Sequence, residues 1–178
     1  MTSLRAVVLS SLLCLSYAPS ALAKEKKPSG GAKPSETKRL ELVERSSTRG
    51  FAIKVPSEAT GTQDDWSMTY KTLVAPDSTP INVVVSVESL DEFTPVTNLD
   101  KAVESITSKR RPGALKPPVS EQRELPNGYL VVLGPQYDTH AVHVIRNGKE
   151  VQVKADCTGP SSRLEALKEM CLSVKPTK

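Results

Sequence analysis

His140 and His143 are the only histidines of this 178-residue chain, and with the cysteines Cys14, Cys157 and Cys171 they are its most chemically versatile side chains. The two histidines fall in an alternating apolar run, where residues three apart point to opposite faces, so they cannot share a metal ion. His140 does share a face with Asp138, an i, i+2 pair able to orient a general base. No Ser, Thr or Cys nucleophile is marked by a local motif, however, and G-x-S-x-G does not occur. There is likewise no haem-attachment motif, EF-hand loop, P-loop or dinucleotide fingerprint. The residues assign no catalytic group, no cofactor and no metal site, and the chain reads as a non-enzyme.

Cys157 and Cys171 read as a disulfide. Leu164, Leu167 and Cys171 recur at i, i+3 and i+7, which puts Cys171 on the apolar stripe of a closing helix, while Cys157 ends the preceding strand. The helix must fold back over that strand, which brings the two together. Closing a loop of this size stabilises a chain by roughly 3 kcal/mol in the chain-entropy model. A redox-active pair is the weaker reading. That chemistry usually uses C-x-x-C at a helix N-terminus, and a cysteine late in a helix meets the opposite end of the dipole.

Three charged or aromatic features complete the inventory. Lys109, Arg110 and Arg111 follow a predicted helix, where cations complement the C-terminal dipole; an anion or acidic-partner contact is the alternative. Asp64 and Asp65 are far short of the six to eight oxygens calcium takes, so they read as a solvated turn. Trp66, the one tryptophan, reads as a core anchor.

These residues sit in a chain with an exported address. Met1 to Arg5 give a positive start, Ala6 to Leu15 an apolar run, and Ala21-Leu22-Ala23 a small-x-small cleavage pattern, so residues 1–23 read as a signal peptide. The apolar run is well short of the roughly 20 residues that span a bilayer, and Cys14 lacks the small preceding residue that lipid attachment requires. No later segment is long enough to cross a membrane as a helix. Residues 24–39 form a Lys/Pro/Ser/Gly linker without a large apolar residue, which cannot offset the entropy of ordering. Seven of the 24 basic residues and two of the 20 acidic ones precede Leu40, so the formal charge of +4 belongs to this tail and the rest is close to neutral. The tail can attract an anionic surface. Nucleic acid is excluded as a partner by export and by an aromatic content of 4%, too low for stacking platforms.

Residues 40–178 suffice for a single α+β domain. Phe51, Ile53 and Val55 alternate toward one face before Pro56 ends the run; Trp66, Met68, Tyr70, Thr72 and Val74 do the same, and so do Ile81, Val83, Val85 and Val87, with a turn at 76–80 making these last two a hairpin. The period changes at Leu99, Ala102, Val103 and Ile106, which predicts a helix over 98–108 with Thr97 and Asp100 as capping box. Strands return over 119–125 and 129–133, joined at Pro126-Asn127-Gly128, and over 140–145 and 151–155, joined at Asn147-Gly148. A closing helix follows Gly159-Pro160, with Ser162 and Glu165 as its capping box.

The Gly50-Phe51-Ala52-Ile53-Lys54-Val55-Pro56 opening, this order of strands and helices, and the terminal Cys171-Leu172-Ser173-Val174-Lys175 resemble the PsbP-like superfamily, which includes extrinsic photosystem proteins and bacterial DcrB-like envelope proteins. The resemblance covers about residues 49–175. It implies an antiparallel sheet of about six to seven strands flanked by two helices, an α/β/α sandwich, in proteins that mostly bind or stabilise other proteins. The reading that follows is a periplasmic or extracellular envelope protein serving another exported protein or complex. A secreted surface-coat protein and a small-ligand carrier using a groove between sheet and helix are the alternatives.

Overall fold

Alternation of apolar and polar residues makes strands that bury one side, and Phe51, Ile53 and Val55 do so completely. The computed structural model describes residues 39–64, 67–73, 79–108 and 116–178. They belong to one compact unit, Lys38–Lys178; residues 1–38, with the expected signal peptide and nearly all of the expected linker, lie outside the described residues. So do Asp65, Trp66, Val74 and Lys109, Arg110 and Arg111.

Among the described residues, ten strands and two α-helices follow in the order β1 (Leu42–Ser47), β2 (Phe51–Pro56), β3 (Thr60–Gln63), β4 (Ser67–Leu73), β5 (Pro80–Ser89), α1 (Leu99–Ser108), β6 (Val119–Leu125), β7 (Gly128–Gln136), β8 (Thr139–Asn147), β9 (Val151–Pro160), α2 (Leu164–Leu172) and β10 (Lys175–Pro176). They form an antiparallel seven-stranded sheet, β3-β4-β5-β9-β8-β7-β6, and a three-stranded one, β1-β2-β10. The α+β class and the antiparallel main sheet are as the sequence implies. The small second sheet is an addition: β1 carries Glu44, Arg45 and Ser46 outward, so no alternation announces it, and β10 is only two residues long.

One face of the large sheet, with Val83, Val85, Leu130, Val132, Val142, Val144, Val153, Ala155 and Cys157, packs with β2 and α2 into a continuous apolar core. The opposite face is covered over β6 and β7 by α1, whose Ala102 is fully buried. Both expected capping boxes differ in the structure. Asn98 caps α1, its Oδ1 accepting the Lys101 N–H at 2.8 Å, because Asn98 stands at the turn that closes on Ala102. Ser162 lies inside a 3-10 turn, Ser161–Arg163, so it cannot cap α2, which starts without a side-chain cap bond.

Turn chemistry sets the registers. Leu125 pairs with Gly128 across Pro126-Asn127, with Asn127 at φ 58°, and a Cβ on Gly128 would fall 1.9 Å from the Ile145 carbonyl oxygen. Asn147 pairs with Gln152, and Gly148 N–H donates to Val151 O at 2.8 Å. Arg146 then ties two ends of the domain, donating to Pro126 O at 2.7 Å and to Leu172 O at 3.4 Å at the C-terminus of α2.

Candidate functional site

Strand alternation puts His140 and His143 on opposite faces of β8, and each finds a different partner. His140, buried on the α2 side, places Nδ1 3.0 Å from Ser161 Oγ. Asp138 is not its orienting group: it belongs to the tight β7–β8 turn, at φ 59°, so the i, i+2 relation of a regular strand does not hold there. The carboxylate that does meet a histidine is Asp156. His143 and Asp156 are directly paired residues of β8 and β9, and Nδ1 lies 2.6 Å from Oδ1. The ionised carboxylate accepts only, so Nδ1 carries the proton and donates. The Asn147–Gln152 register contains this pair, since counting back four residues on one strand and forward four on the other arrives at it.

A histidine oriented by a carboxylate is half of many catalytic and metal sites. His143 Nε2 is buried with no hydrogen-bond partner, Asp156 is 48% exposed, and among the described residues no group of three or more His, Cys, Asp or Glu is arranged to hold a metal ion. The same face of β9 carries two further polar pairs. Lys154 Nζ meets both carboxylate oxygens of Glu88, at 2.6 and 2.5 Å, and Gln152, fully buried, bonds Val96 N–H and O at 3.3 Å and Asn147 Oδ1 at 2.6 Å. These contacts satisfy buried polar groups and hold the chain that leads into α1 against the sheet.

The most exposed large apolar side chain among the described residues stands at the other end of the sheet. Tyr137 is 85% exposed at the tip of the β7–β8 hairpin. It and Asp138 both have positive φ, 49° and 59°, and Gln136 pairs with Thr139 across them, which is the geometry of a two-residue type I′ turn. Asn and Gly ordinarily fill those positions, and a tyrosine there is disfavoured. The turn is held by Ser161 N–H donating to Asp138 O at 2.8 Å and by the β7–β8 ladder. Beside it opens a cleft of about 190 Å³ walled by Pro117, Leu133 and Ala141, with Gln136, Thr139 and His140 as its polar groups. Val119, 39% exposed, starts β6 next to Leu133, and Gly134 N–H donates to Pro118 O at 2.9 Å, so Val119 belongs to the same end. Sequence reading missed this surface because Tyr-Asp is not a recognised hairpin dipeptide; the signal was the short spacing between two apolar runs. A second cleft, of about 520 Å³, is bordered by Glu58, Thr60, Lys71, Thr72 and Pro80 at the β3–β4–β5 end.

Asp64 folds its carboxylate onto Ser67, accepting from N–H at 2.5 Å and from Oγ–H at 2.9 Å, as a turn residue does. Cys157 and Cys171 are both fully buried, and Cys171 Sγ lies 3.1 Å from Val142 O. Burial, and next the neighbouring Cys157, push the Cys171 thiol well above its ordinary pKa.

No family model matches this chain, and no curated protein does. Among solved structures it is similar to the solution structure of cyanobacterial PsbP, CyanoP, from Synechocystis sp. PCC 6803, with TM-score 0.49 and 14% identity over 84% of this chain and 99% of that one. It is also similar to a crystal structure of a protein from Bacteroides thetaiotaomicron, with TM-score 0.47 and 13% identity over 76% of this chain and 48% of that one. Among the described residues, no helix is long and apolar enough to cross a membrane.

Proposed function

We propose that this protein is a non-enzymatic exported envelope protein, and that its domain binds another exported protein or complex through the end of the sheet that displays Tyr137. Tyr137 carries the reading. A large aromatic ring held out on a closed hairpin loses little freedom when a partner covers it, and tyrosine is among the side chains that dominate binding energy at interfaces. Val119 and the cleft beside Pro117 extend the apolar contact, and the polar groups Gln136, Thr139 and His140 fix orientation within it. The N-terminal leader supplies the export, and the basic linker of residues 24–39 extends the reach of the domain toward anionic surfaces.

The test is crosslinking of the full chain in its own cells, followed by identification of what is attached. Tyr137→Gly is the informative variant, because glycine accepts the positive φ and keeps the turn while deleting the ring. Loss of an anchor worth about 2 kcal/mol lowers affinity roughly 30-fold, so a defined partner should disappear from the Tyr137→Gly capture while the fold persists. A partner captured equally by both proteins would overturn this site. Capture of surface polymer alone, abolished by removing residues 24–38, would make the protein a coat component instead. The 520 Å³ cleft favours one second reading, a small-ligand carrier, since its volume lies in the range of ligand sites and it offers both an acid, Glu58, and a base, Lys71. Native mass spectrometry showing a small molecule on the purified monomer would favour that reading.

A further inference from the structure

We propose that Cys157 and Cys171 become a disulfide while the chain folds, and that the finished core then seals the bond from further exchange. Two register facts put the sulfurs together. Cys157 is paired with Val142 of β8 and with Val83 of β5, at the centre of the large sheet on the face that α2 covers. Cys171 Sγ, from α2, lies 3.1 Å from Val142 O and 3.3 Å from Ala155 O, the carbonyl of the residue paired with Cys157 and that of the residue two before it. The Cys171 sulfur therefore hangs over the ladder where the Cys157 side chain rises. A bond there staples α2 to β9.

The same burial decides when the bond can form. Both residues have zero exposure, so neither an oxidant nor a reductant reaches them in the folded domain. A burial-raised thiol is also protonated at neutral pH, and exchange requires the thiolate. Oxidation must occur before α2 docks, or during its opening. One cysteine thiolate attacks an external disulfide RSSR and expels RS⁻; the second thiolate attacks the protein sulfur of that mixed disulfide and expels the other RS⁻. Two protein thiols and RSSR become one protein disulfide and two RSH, with the protons passing to the leaving thiolates. A dithiol exchange centre acting on other proteins is incompatible with sulfurs at this depth.

The supply of RSSR in cells rests on the exported reading, so the test separates the two. The full chain is unfolded and reduced, refolded either in glutathione redox buffer or in dithiothreitol, then alkylated in denaturant and mapped at Cys157 and Cys171 by mass spectrometry. In the glutathione sample the two cysteines should resist alkylation and form one peptide pair lighter by two hydrogens. In the dithiothreitol sample, native protein moved into oxidised glutathione should keep both thiols until denaturant is added. The bridged form should unfold with an equilibrium constant roughly a hundredfold smaller than the reduced form, and Cys157→Ala/Cys171→Ala should show no difference between the two buffers. Full alkylation of both cysteines after refolding in glutathione buffer overturns the bridge, and ready oxidation of the native dithiol overturns the sealing. A bridge formed in vitro but absent from protein isolated from its own cells would refute export while leaving the chemistry of the pair intact.

Discussion

The two faces of the seven-stranded sheet are built on opposite principles. Toward α2, β9 presents Val153, Ala155 and Cys157, β8 Val142 and Val144, and β7 Leu130 and Val132, all apolar and all fully buried or nearly so. Toward α1, β7 and β8 still give Val131, Leu133 and Ile145, but β9 gives Gln152, Lys154 and Asp156, each satisfied by specific polar partners. The first face is stabilised by area, the second increasingly by directed bonds. Because apolar burial contributes in proportion to area whereas a typical hydrogen bond nets only about 1 kcal/mol, the α2 face should carry most of the stability. Neither face carries Tyr137, which projects from the end where the strands turn back.

The α2 face is most sensitive at Leu167. It is fully buried between α2 and the sheet, so Leu167→Ala should cost about 3 kcal/mol, read as a lower denaturant midpoint with unchanged slope. A loss below about 1 kcal/mol would mean that α2 is a loosely held cover and that the dry face is not the main source of stability. On the other face the largest single effect should come from Gln152. Gln152→Ala leaves Val96 N–H and O without their partner, for a loss of about 1–3 kcal/mol, and hydrogen exchange should quicken at Val96 before it does in β9. Equal exchange at both would show that the segment before α1 unfolds with the whole sheet.

The α2 face was the legible one. Phe51, Ile53 and Val55, then Ile81, Val83 and Val85, write their burial as strict alternation, and Leu167 and Cys171 write theirs at helical spacing. The Asn127 and Asn147 turns announce themselves by composition. The rest is hidden for separate reasons. β1 is an edge strand with three successive polar residues turned outward, and β10 is too short to carry a pattern. His143 and Asp156 lie 13 positions apart and meet only through a register, while the intuitive pair, Asp138 and His140, is separated by a turn that local spacing does not reveal. The display of Tyr137 depends on a backbone conformation that its residue type ordinarily avoids.

A double-mutant cycle on His143→Ala and Asp156→Ala measures a smaller contribution on the α1 face. The carboxylate is half in solvent, so the coupling should be about 0.5–1 kcal/mol, and less in high salt. A coupling several times larger would mean that the α1 face is dry after all, and that its paired charges are core elements in the same sense as the valines opposite.

The smallest effect lies at the rim of the α2 face, where Lys168 of α2 reaches Glu121 of β6 at 2.7 Å. The Lys168 hydrogen bond holds the Glu121 carboxyl below its ordinary pKa, and the same bond raises Lys168 above its own. A depressed acid stabilises the fold above its unfolded pKa, so that contribution is present at neutral pH and is lost as pH falls through the lowered folded value. A raised base stabilises below its unfolded pKa, and loses that contribution as pH climbs through the raised folded value. Both side chains are partly exposed, Lys168 by 21% and Glu121 by 34%, so solvent screening keeps the contribution to a few tenths of a kcal/mol. The difference in unfolding midpoint between the parent and Glu121→Gln should therefore be small at pH 7 and vanish in acid. A difference that instead persists below about pH 3 would show that residue 121 acts through packing against α2, extending the rule of the dry face out to its charged rim.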